Sequence, residues 1–259
     1  MCSSDLKADG LWPHTSQTGV TLLRFYMDYA NYVRHQSSVN REKFALTSLT
    51  AGEARAIADY YRANRPSALM RTNFFGLCLG IRNGAEIRAL SRHLGRRVIG
   101  VDISDSIIQV PNGFWCDFSQ CPDLWKGKVD FLYSNSYDHA IELDATLASW
   151  VSLLSSEGLM FLQFTPTHAK EIRMDLDNLI QKLVQHGLEI LAVHSLETTR
   201  GFKRKTELFR NVVRQIGKRM IAPAVPNAWP FYWTLKYNLR HGILLPTQIL
   251  VAAPGRRTD

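Results

Sequence analysis

The sequence has few of the features that mark secreted, membrane-spanning or metal-binding proteins. It has four cysteines, and none belongs to a group of Cys or His residues with the spacing of zinc ligands. No segment approaches the roughly 18 apolar residues of a membrane-spanning helix, and residues 1–20 lack the apolar core of a secretion signal. We therefore expect a soluble protein of the cytoplasm with reduced thiols.

Acidic residues are also scarce relative to basic ones. The chain of 259 residues has 23 Asp and Glu against 31 Lys and Arg, which gives a formal net charge of +8. A positive field attracts nucleic acid, acidic lipid headgroups and phosphorylated metabolites alike. The charge therefore points to an anionic partner of some kind without selecting one, and it is equally compatible with a basic surface that binds nothing.

The chain divides into two regions with different periodicity. Residues 1–70 read as a polar tail and a helical lead-in, with helices at 21–35 and 53–65 and Thr50 as a possible cap. In residues 71–259, apolar segments alternate with amphipathic ones, which predicts a doubly wound α/β domain with a mostly parallel sheet. The predicted strands are 74–79, 97–101, 113–116, 129–133, 158–164, 188–196 and 246–252, with helices at 83–94, 141–154 and 169–186.

Residues 198–240 interrupt this alternation before the last strand. Basic and apolar residues alternate from Lys203 to Met220, and an aromatic stretch follows as far as Trp233. This pattern predicts a basic amphipathic helix. Three roles stay open for the segment 203–233: a lid packed on the sheet, a contact with RNA, or a contact with an anionic membrane surface that would make the protein peripheral to the membrane.

The turn after the first predicted strand is the first candidate binding element. Gly80 and Gly84 allow the backbone to turn tightly and a ligand to approach it closely. The helix that follows offers free backbone N–H groups to a carboxylate or a phosphate. Many α/β turns contain two glycines, so this turn alone does not identify the ligand.

Two carboxylates follow the next two strands. Asp102 ends the second strand, about 20 residues past the turn, where a carboxylate can accept hydrogen bonds from both hydroxyls of a ribose. Asp117 follows the third strand, where it can accept from the exocyclic amine of adenine while Phe118 lies against the ring. Either aspartate alone could be a helix cap. Helix capping does not readily explain why the glycine turn and both aspartates follow three successive strands at the expected positions.

This succession resembles the class I S-adenosylmethionine-dependent methyltransferases over roughly residues 72–196, with a final strand at 246–252. The stretch 129–140 is similar to one subgroup, whose loop after the fourth strand reads Asn-Ser-x-Asp-His. The resemblance implies that family's seven-stranded sheet, with N-terminal helices and a helical insertion added, and S-adenosylmethionine as cofactor. It also implies cofactor contacts from Gly80, Ile81, Arg82, Gly84, Asp102, Ile103, Asp117, Phe118, Asn135 and Ser136.

Two positions depart from the family pattern. Cys78 stands where the family has an acid, and Arg82 stands where it has the middle glycine of the turn. The missing acid usually helps to orient the methionine ammonium, and Glu86 and Asp138 are the candidates to replace it. Arg82 is expected either to contact the cofactor carboxylate or to point to solvent.

Histidines after the fourth and fifth strands are the candidate catalytic groups. His139, with Asp138 beside it, lies in the loop that faces the transferable methyl in this family, and His168 faces the same cleft. A histidine suits the role of general base at neutral pH. The loop lacks the proline pair of amino-methylating branches, and no cysteine pair suits cytosine chemistry. By elimination, the group that is methylated is expected to be a hydroxyl of a small molecule or a glycan. If the basic segment covers the cleft, this acceptor is expected to be anionic.

Two other functions compete with methyl transfer. A nicotinamide-dependent oxidoreductase would need the spacing Gly-x-Gly-x-x-Gly, which Gly80 and Gly84 do not match. A non-catalytic descendant that keeps the fold as a cofactor-binding protein or scaffold stays open because of Cys78 and Arg82.

Overall fold

The computed structural model describes residues 28–164, 174–195 and 248–255. The strands of these residues are β1 (Gly76–Leu79), β2 (Val98–Asp102), β3 (Gly113–Trp115), β4 (Val129–Ser134), β5 (Leu154–Phe164), β6 (Leu188–Ser195) and β7 (Gln248–Pro254). Their α-helices are α1 (Tyr29–Glu42), α2 (Ala51–Asn64), α3 (Pro66–Met70), α4 (Ala85–Leu94), α5 (Leu143–Leu153) and α6 (Leu176–Gln185).

All seven strands form one sheet, in the order β3-β2-β1-β4-β5-β7-β6. Strands β1 to β5 pair in parallel, whereas β7 runs antiparallel to β5 and to β6. The predicted mostly parallel, doubly wound sheet is confirmed. The strand order reverses between β1 and β4, and such a reversal opens a crevice beyond the carboxyl ends of the two strands.

Each face of the sheet is covered by helices. On one face, α5 and α6 bury residues such as Trp150 and Leu183. On the other face, α2 and α4 bury Tyr61 and Leu90 in one cluster with side chains of β1, β2 and β4. Helix α2 therefore shares its core with the sheet, although it precedes residue 70.

Several helix ends differ from the sequence-based expectation. Helix α1 begins at Tyr29, because Asp28 has an extended backbone and its side chain accepts from the Asn31 amide; it then continues past residue 35 to Glu42. Helix α4 begins at Ala85 instead of residue 83, since Gly84 takes the left-handed φ of 70°. Helix α6 begins at Leu176 after its cap, Asp175.

The cap predicted for the second helix is present. The Thr50 side chain accepts from the Glu53 amide, and the Glu53 carboxylate accepts from the Thr50 amide, so the two residues form a reciprocal capping box. The predicted 198–240 insertion lies outside the described residues. No helix of the part that is described is long and apolar enough to cross a membrane.

Candidate cofactor site

The turn between β1 and α4 has the backbone that its glycines predict. Gly80, Arg82 and Gly84 have φ angles of 76°, 43° and 70°, all in the left-handed region. Arg82 thus occupies a conformation that favours glycine. A Cβ atom on Gly80 would lie 2.5 Å from the Cβ of Ser136, whose hydroxyl donates to the Gly80 carbonyl over 3.1 Å. The turn and the loop after β4 therefore touch directly.

Asp102, at the end of β2, is 4% exposed and fully engaged in hydrogen bonds. Its Oδ1 accepts from the Ser104 amide at 2.8 Å and from Nδ2 of Asn40 at 2.9 Å. Its Oδ2 accepts from the amide of Arg82 at 2.8 Å. Burial raises the pKa of this carboxyl above its ordinary value, although both backbone donors favour the charged form.

Asp117, after β3, combines a capping role with a contact to α1. Its Oδ1 accepts from both the amide and the hydroxyl of Ser119, at 2.8 and 2.6 Å. Its Oδ2 accepts from the Tyr29 hydroxyl at 2.6 Å. Burial, and then the Asp117 charge, raise the pKa of Tyr29, so the phenol keeps its proton and acts as the donor.

Helix α1 therefore lies across the carboxyl edge of the sheet. Besides the contacts of Tyr29 and Asn40, the Tyr32 hydroxyl donates to the His139 carbonyl at 2.7 Å. These three bonds join residues 62 to 107 positions apart in the chain. The sequence predicted a helix over residues 21–35, which contains Tyr29 and Tyr32, but not the contacts of these tyrosines with the site. Their hydroxyls, within an otherwise apolar pattern, were the available signal.

A buried charge cluster surrounds the position of the family's missing acid. Cys78 is fully buried, and burial and then the Glu86 carboxylate raise the pKa of its thiol, which places that carboxylate near the sulfur. Burial raises the pKa of Glu86 and lowers that of Arg82. In each case the charge of the other residue acts against burial and favours the ionised form. The Nε of Arg82 donates to Asn40 at 3.2 Å. Arg82 consequently turns inward, and its expected alternative of pointing to solvent is wrong.

A cavity of about 100 Å³ remains beneath α1, between the loops that follow β3 and β4. Tyr32, Asp117, Phe118, His139 and Thr146 are among its lining residues. The Phe118 ring is held edge-on against Trp150, with 5.5 Å between centroids. The buried Thr146 hydroxyl has no hydrogen-bond partner among the described residues. The cavity is smaller than the roughly 300 Å³ of the smallest usual ligand sites, and Tyr32 of α1 forms part of its wall.

Solved structures with the same architecture identify the fold. A candidate sarcosine dimethylglycine methyltransferase from Galdieria sulphuraria matches with a TM-score of 0.55 and 15% identity, over 78% of this chain and 85% of that one. The phosphoethanolamine N-methyltransferase 2 of Haemonchus contortus, in complex with S-adenosyl-L-methionine, matches with a TM-score of 0.56 and 14% identity, over 93% of this chain and 61% of that one. The fold is that of the class I methyltransferases.

The same fold also carries another chemistry. The [4+2]-cyclase SpnF matches with a TM-score of 0.57 and 14% identity, over 79% of this chain and 82% of that one. No protein-family profile and no curated protein matches the sequence. The class I methyltransferase fold is thus supported by similarity to solved structures. The reaction has to be inferred from the residues of the site.

The loop after β4 contains the predicted catalytic residues. The Asp138 side chain is 7% exposed, whereas the His139 ring is exposed and near enough to Asp102 to favour the charged form of that carboxyl. The His139 amide donates to the Ser136 carbonyl at 3.0 Å. Gly80, Asp102 and His139 therefore meet at one edge of the sheet, with Asp117 and Phe118 along the same edge. His168 lies outside the described residues.

Proposed function

We propose that this chain is a methyltransferase that uses S-adenosylmethionine. The observation that carries the proposal is the glycine turn after β1 together with Asp102 and Asp117, which follow β2 and β3 on one edge of a class I methyltransferase fold. The Haemonchus contortus relative in fold was crystallised with the same cofactor. The carboxyl edge at a reversal of strand order is also where α/β sheets bind ligands.

The residues of this edge suit the chemistry of the cofactor. The turn from Gly80 to Gly84 offers a left-handed backbone that a ligand can approach, and Asp102 and Asp117 are acceptors for the donors of ribose and adenine. Ile81, Ile103, Asn135 and Ser136 lie in the loops beside these groups. When bound, the cofactor supplies an electrophilic methyl group on a sulfonium.

Arg82 and Glu86 take over the amino-acid end of the cofactor in this proposal. Arg82 is the cation within the turn and suits a carboxylate. Glu86 lies near Cys78, where the family has its acid, and suits an ammonium. Burial raises the pKa of Glu86, and a neighbouring ammonium would favour its charged form. The departures at Cys78 and Arg82 are therefore compensated within one cluster.

Helix α1 either competes with this cofactor for its acceptors or shares them with it. Asn40 and Tyr29 already donate to the two carboxylates that ribose and adenine would use. The remaining cavity of about 100 Å³ is also too small for the whole molecule. We infer that the donors of the cofactor replace those of α1, or share the carboxylate oxygens with them.

His139 is the proposed general base for a hydroxyl acceptor, since its exposed ring follows β4 at the same edge as Asp102. The Tyr32 hydroxyl anchors the His139 backbone and so limits movement of the loop. Asp138, buried beside it, is a candidate to orient the acceptor. The acceptor is proposed to be a small molecule or glycan, with 198–240 as its cover and source of positive charge.

Cofactor binding is the first test. Isothermal titration calorimetry with S-adenosylmethionine and S-adenosylhomocysteine should show saturable one-to-one binding, and both should raise the melting temperature. NADH should do neither. Stabilisation by NADH without any response to S-adenosylhomocysteine would refute the proposal.

Turnover is a separate test. A screen of hydroxyl-bearing small molecules and glycans with radiolabelled methyl donor should find an acceptor. His139→Ala should then lower turnover by roughly 100-fold or more with cofactor affinity almost unchanged. His93→Ala, a change at the far end of α4, is the matched control and should retain activity.

A non-catalytic cofactor-binding protein is the second candidate. It is favoured by Cys78, which is buried at the position of the family's acid. Tight binding of S-adenosylmethionine with no labelled product from any acceptor would select this candidate. Labelled product in a single reaction would exclude it.

A further inference from the structure

Arginines gather at the amino edge of the sheet, opposite the cofactor site. Arg96 and Arg97 directly precede β2, and Arg92 lies one turn earlier at the end of α4. Arg71 reaches Asp130 at the start of β4, and Arg65 reaches Glu157, in the irregular stretch of β5 between the paired residues Leu154 and Leu159. Arg62 reaches the end of α4 from α2. We call this surface the arginine edge: Arg62, Arg65, Arg71, Arg92, Arg96 and Arg97.

Backbone contacts hold half of these side chains in place. Arg62 donates to the His93 carbonyl, Arg65 to the carbonyls of Asn64 and Glu157, and Arg96 to the Arg71 carbonyl. A guanidinium has five donors in a planar fork, so these bonds leave others free to meet phosphate oxygens. The arrangement is therefore partly organised before any partner arrives.

The positive charge of the arginine edge is only partly neutralised. Ion pairs join Arg62 to Asp59, Arg65 to Glu157 and Arg71 to Asp130. No such pair with a described carboxylate is formed by Arg92, Arg96 or Arg97. Arg92 and Arg97 are exposed. Three guanidinium groups at one edge thus have no acidic partner in the described part of the chain.

The apolar and aromatic groups of the arginine edge distinguish between two possible anionic partners, a single-stranded nucleic acid and an anionic lipid surface. Met70, next to Arg71, is 84% exposed, the highest value among the large apolar side chains of the described residues. Phe74 is half-buried, and the Arg96 guanidinium covers its ring at 5.6 Å from the centroid. Single-stranded nucleic acid is bound by aromatic rings on which bases stack, and Phe74 is covered. An exposed Met among arginines suits the boundary between lipid headgroups and acyl chains.

We propose that the arginine edge docks on an anionic phospholipid bilayer. Arginines meet the phosphates of the headgroups, and Met70 enters the headgroup region. Because the surface lies at the amino ends of the strands, docking leaves the carboxyl edge with Asp102 facing the water. The docking surface does not rest on the proposed methyl transfer. Taken together with that proposal, it predicts an enzyme that is held at a membrane and acts on a water-soluble acceptor.

Vesicle sedimentation with the full chain tests the surface. The parent should bind vesicles of phosphatidylcholine with about one third phosphatidylglycerol, and should bind pure phosphatidylcholine much less. Arg92→Gln with Arg97→Gln should weaken binding to the mixed vesicles by about 10- to 30-fold, since each basic group near such a surface contributes about 1 kcal/mol. Met70→Ser should weaken it by about threefold to tenfold.

Two matched variants separate this surface from charge in general and from misfolding. Arg34→Gln with Arg41→Gln removes the same charge from α1, at the other edge, and should change vesicle binding by less than about twofold. Arg92→Lys with Arg97→Lys keeps the charge and should bind within about threefold of the parent. S-adenosylmethionine affinity should be the same in the parent and all Arg92 and Arg97 variants.

Three results would overturn the docking surface. The first is equal vesicle binding by the parent and by Arg92→Gln with Arg97→Gln, which would assign binding to another part of the chain. The second is a loss of vesicle binding in Arg34→Gln with Arg41→Gln as large as the loss in Arg92→Gln with Arg97→Gln. The third is tighter binding of a short single-stranded oligoribonucleotide than of vesicles, with the same sensitivity to Arg92 and Arg97, which would favour nucleic acid.

Discussion

Asp102 and Asp130 are buried carboxylates at opposite edges of the same sheet, and each is 4% exposed. Asp130 accepts from the Arg71 guanidinium, the Ser155 hydroxyl and the Phe75 amide. Asp102 accepts from two neighbouring amides and from Asn40 of α1. Asp130 accepts a hydrogen bond from a cation, whereas all three donors to Asp102 are neutral, and one of them, the Asn40 amide, can be replaced by another donor. The charges of Arg82 and His139 favour the ionised form of Asp102 without donating to it. Equal burial therefore accompanies a structural role for Asp130 and the proposed binding role for Asp102.

The same contrast extends along both edges. The carboxyl edge combines left-handed turn residues with Asp102 and Arg82, two ionisable groups that contact Asn40 of α1. The amino edge combines exposed arginines with backbone carbonyls and one buried aspartate. A site that binds a small cofactor needs enclosed acceptors, because hydrogen bonds to charged groups gain strength away from water. A surface that meets a bilayer needs exposed charge.

The largest expected difference between the two edges is in the free energy of unfolding, when a glycine with a left-handed backbone is replaced by alanine at each edge. Gly80→Ala should destabilise the protein by roughly 2–5 kcal/mol, from the left-handed backbone and from overlap of the new methyl with Ser136. Gly95→Ala, at the amino edge, meets no atom within 4 Å and should cost only roughly 1–2 kcal/mol. Urea unfolding measures both. Equal losses would mean that the contact between the Gly80 turn and the loop after β4 is loose.

Exchanging the two buried aspartates for asparagine tests the comparison directly. Asp102→Asn should weaken S-adenosylmethionine binding by about 10- to 100-fold, because a charge-assisted acceptor is lost. Asp130→Asn should leave that affinity unchanged while lowering the free energy of unfolding by roughly 1–3 kcal/mol. Calorimetry and urea unfolding of both variants give the four values. Normal affinity in Asp102→Asn would remove the ribose assignment.

The pH dependence of binding should reveal Asp102. Burial raises the pKa of this carboxyl above 3.8, and the ionised form is the stronger acceptor for the two hydroxyls. Affinity for S-adenosylmethionine should therefore be full above the raised pKa and fall as the pH drops through it, at a higher pH than for an exposed aspartate. Calorimetry across mildly acidic pH measures this. The dependence should disappear in Asp102→Asn; if it persists there, another group causes it.

The smallest expected effect concerns the cover formed by α1. Tyr29→Phe removes the donor that already occupies Asp117, so S-adenosylmethionine should bind about twofold to fivefold more tightly. Arg41→Gln removes an exposed contact of the same helix with Asp105 and is the control. Weaker binding in Tyr29→Phe would show that the phenol and the cofactor share the carboxylate instead of exchanging places.

Most of the architecture was predictable because its signals are local. Apolar segments of strand length alternate with amphipathic helices, and Thr50 caps the second helix as predicted. The places of Asp102 and Asp117 at the ends of successive strands follow from the same alternation. Helix starts were less accurate, because α1 and α6 begin at aspartate caps inside apolar patterns that extend further.

The sequence by itself determined the fold class, the glycine turn and the order of the candidate binding residues, because strand periodicity and strand ends are properties of neighbouring residues. Only the tertiary structure decided that α1 donates to Asp102 and Asp117, that Glu86 lies near Cys78, and that arginines from α2, α3 and α4 and their flanks meet at one edge. Those contacts join residues that are far apart in the chain, and packing of the helices on both faces of the sheet brings them together.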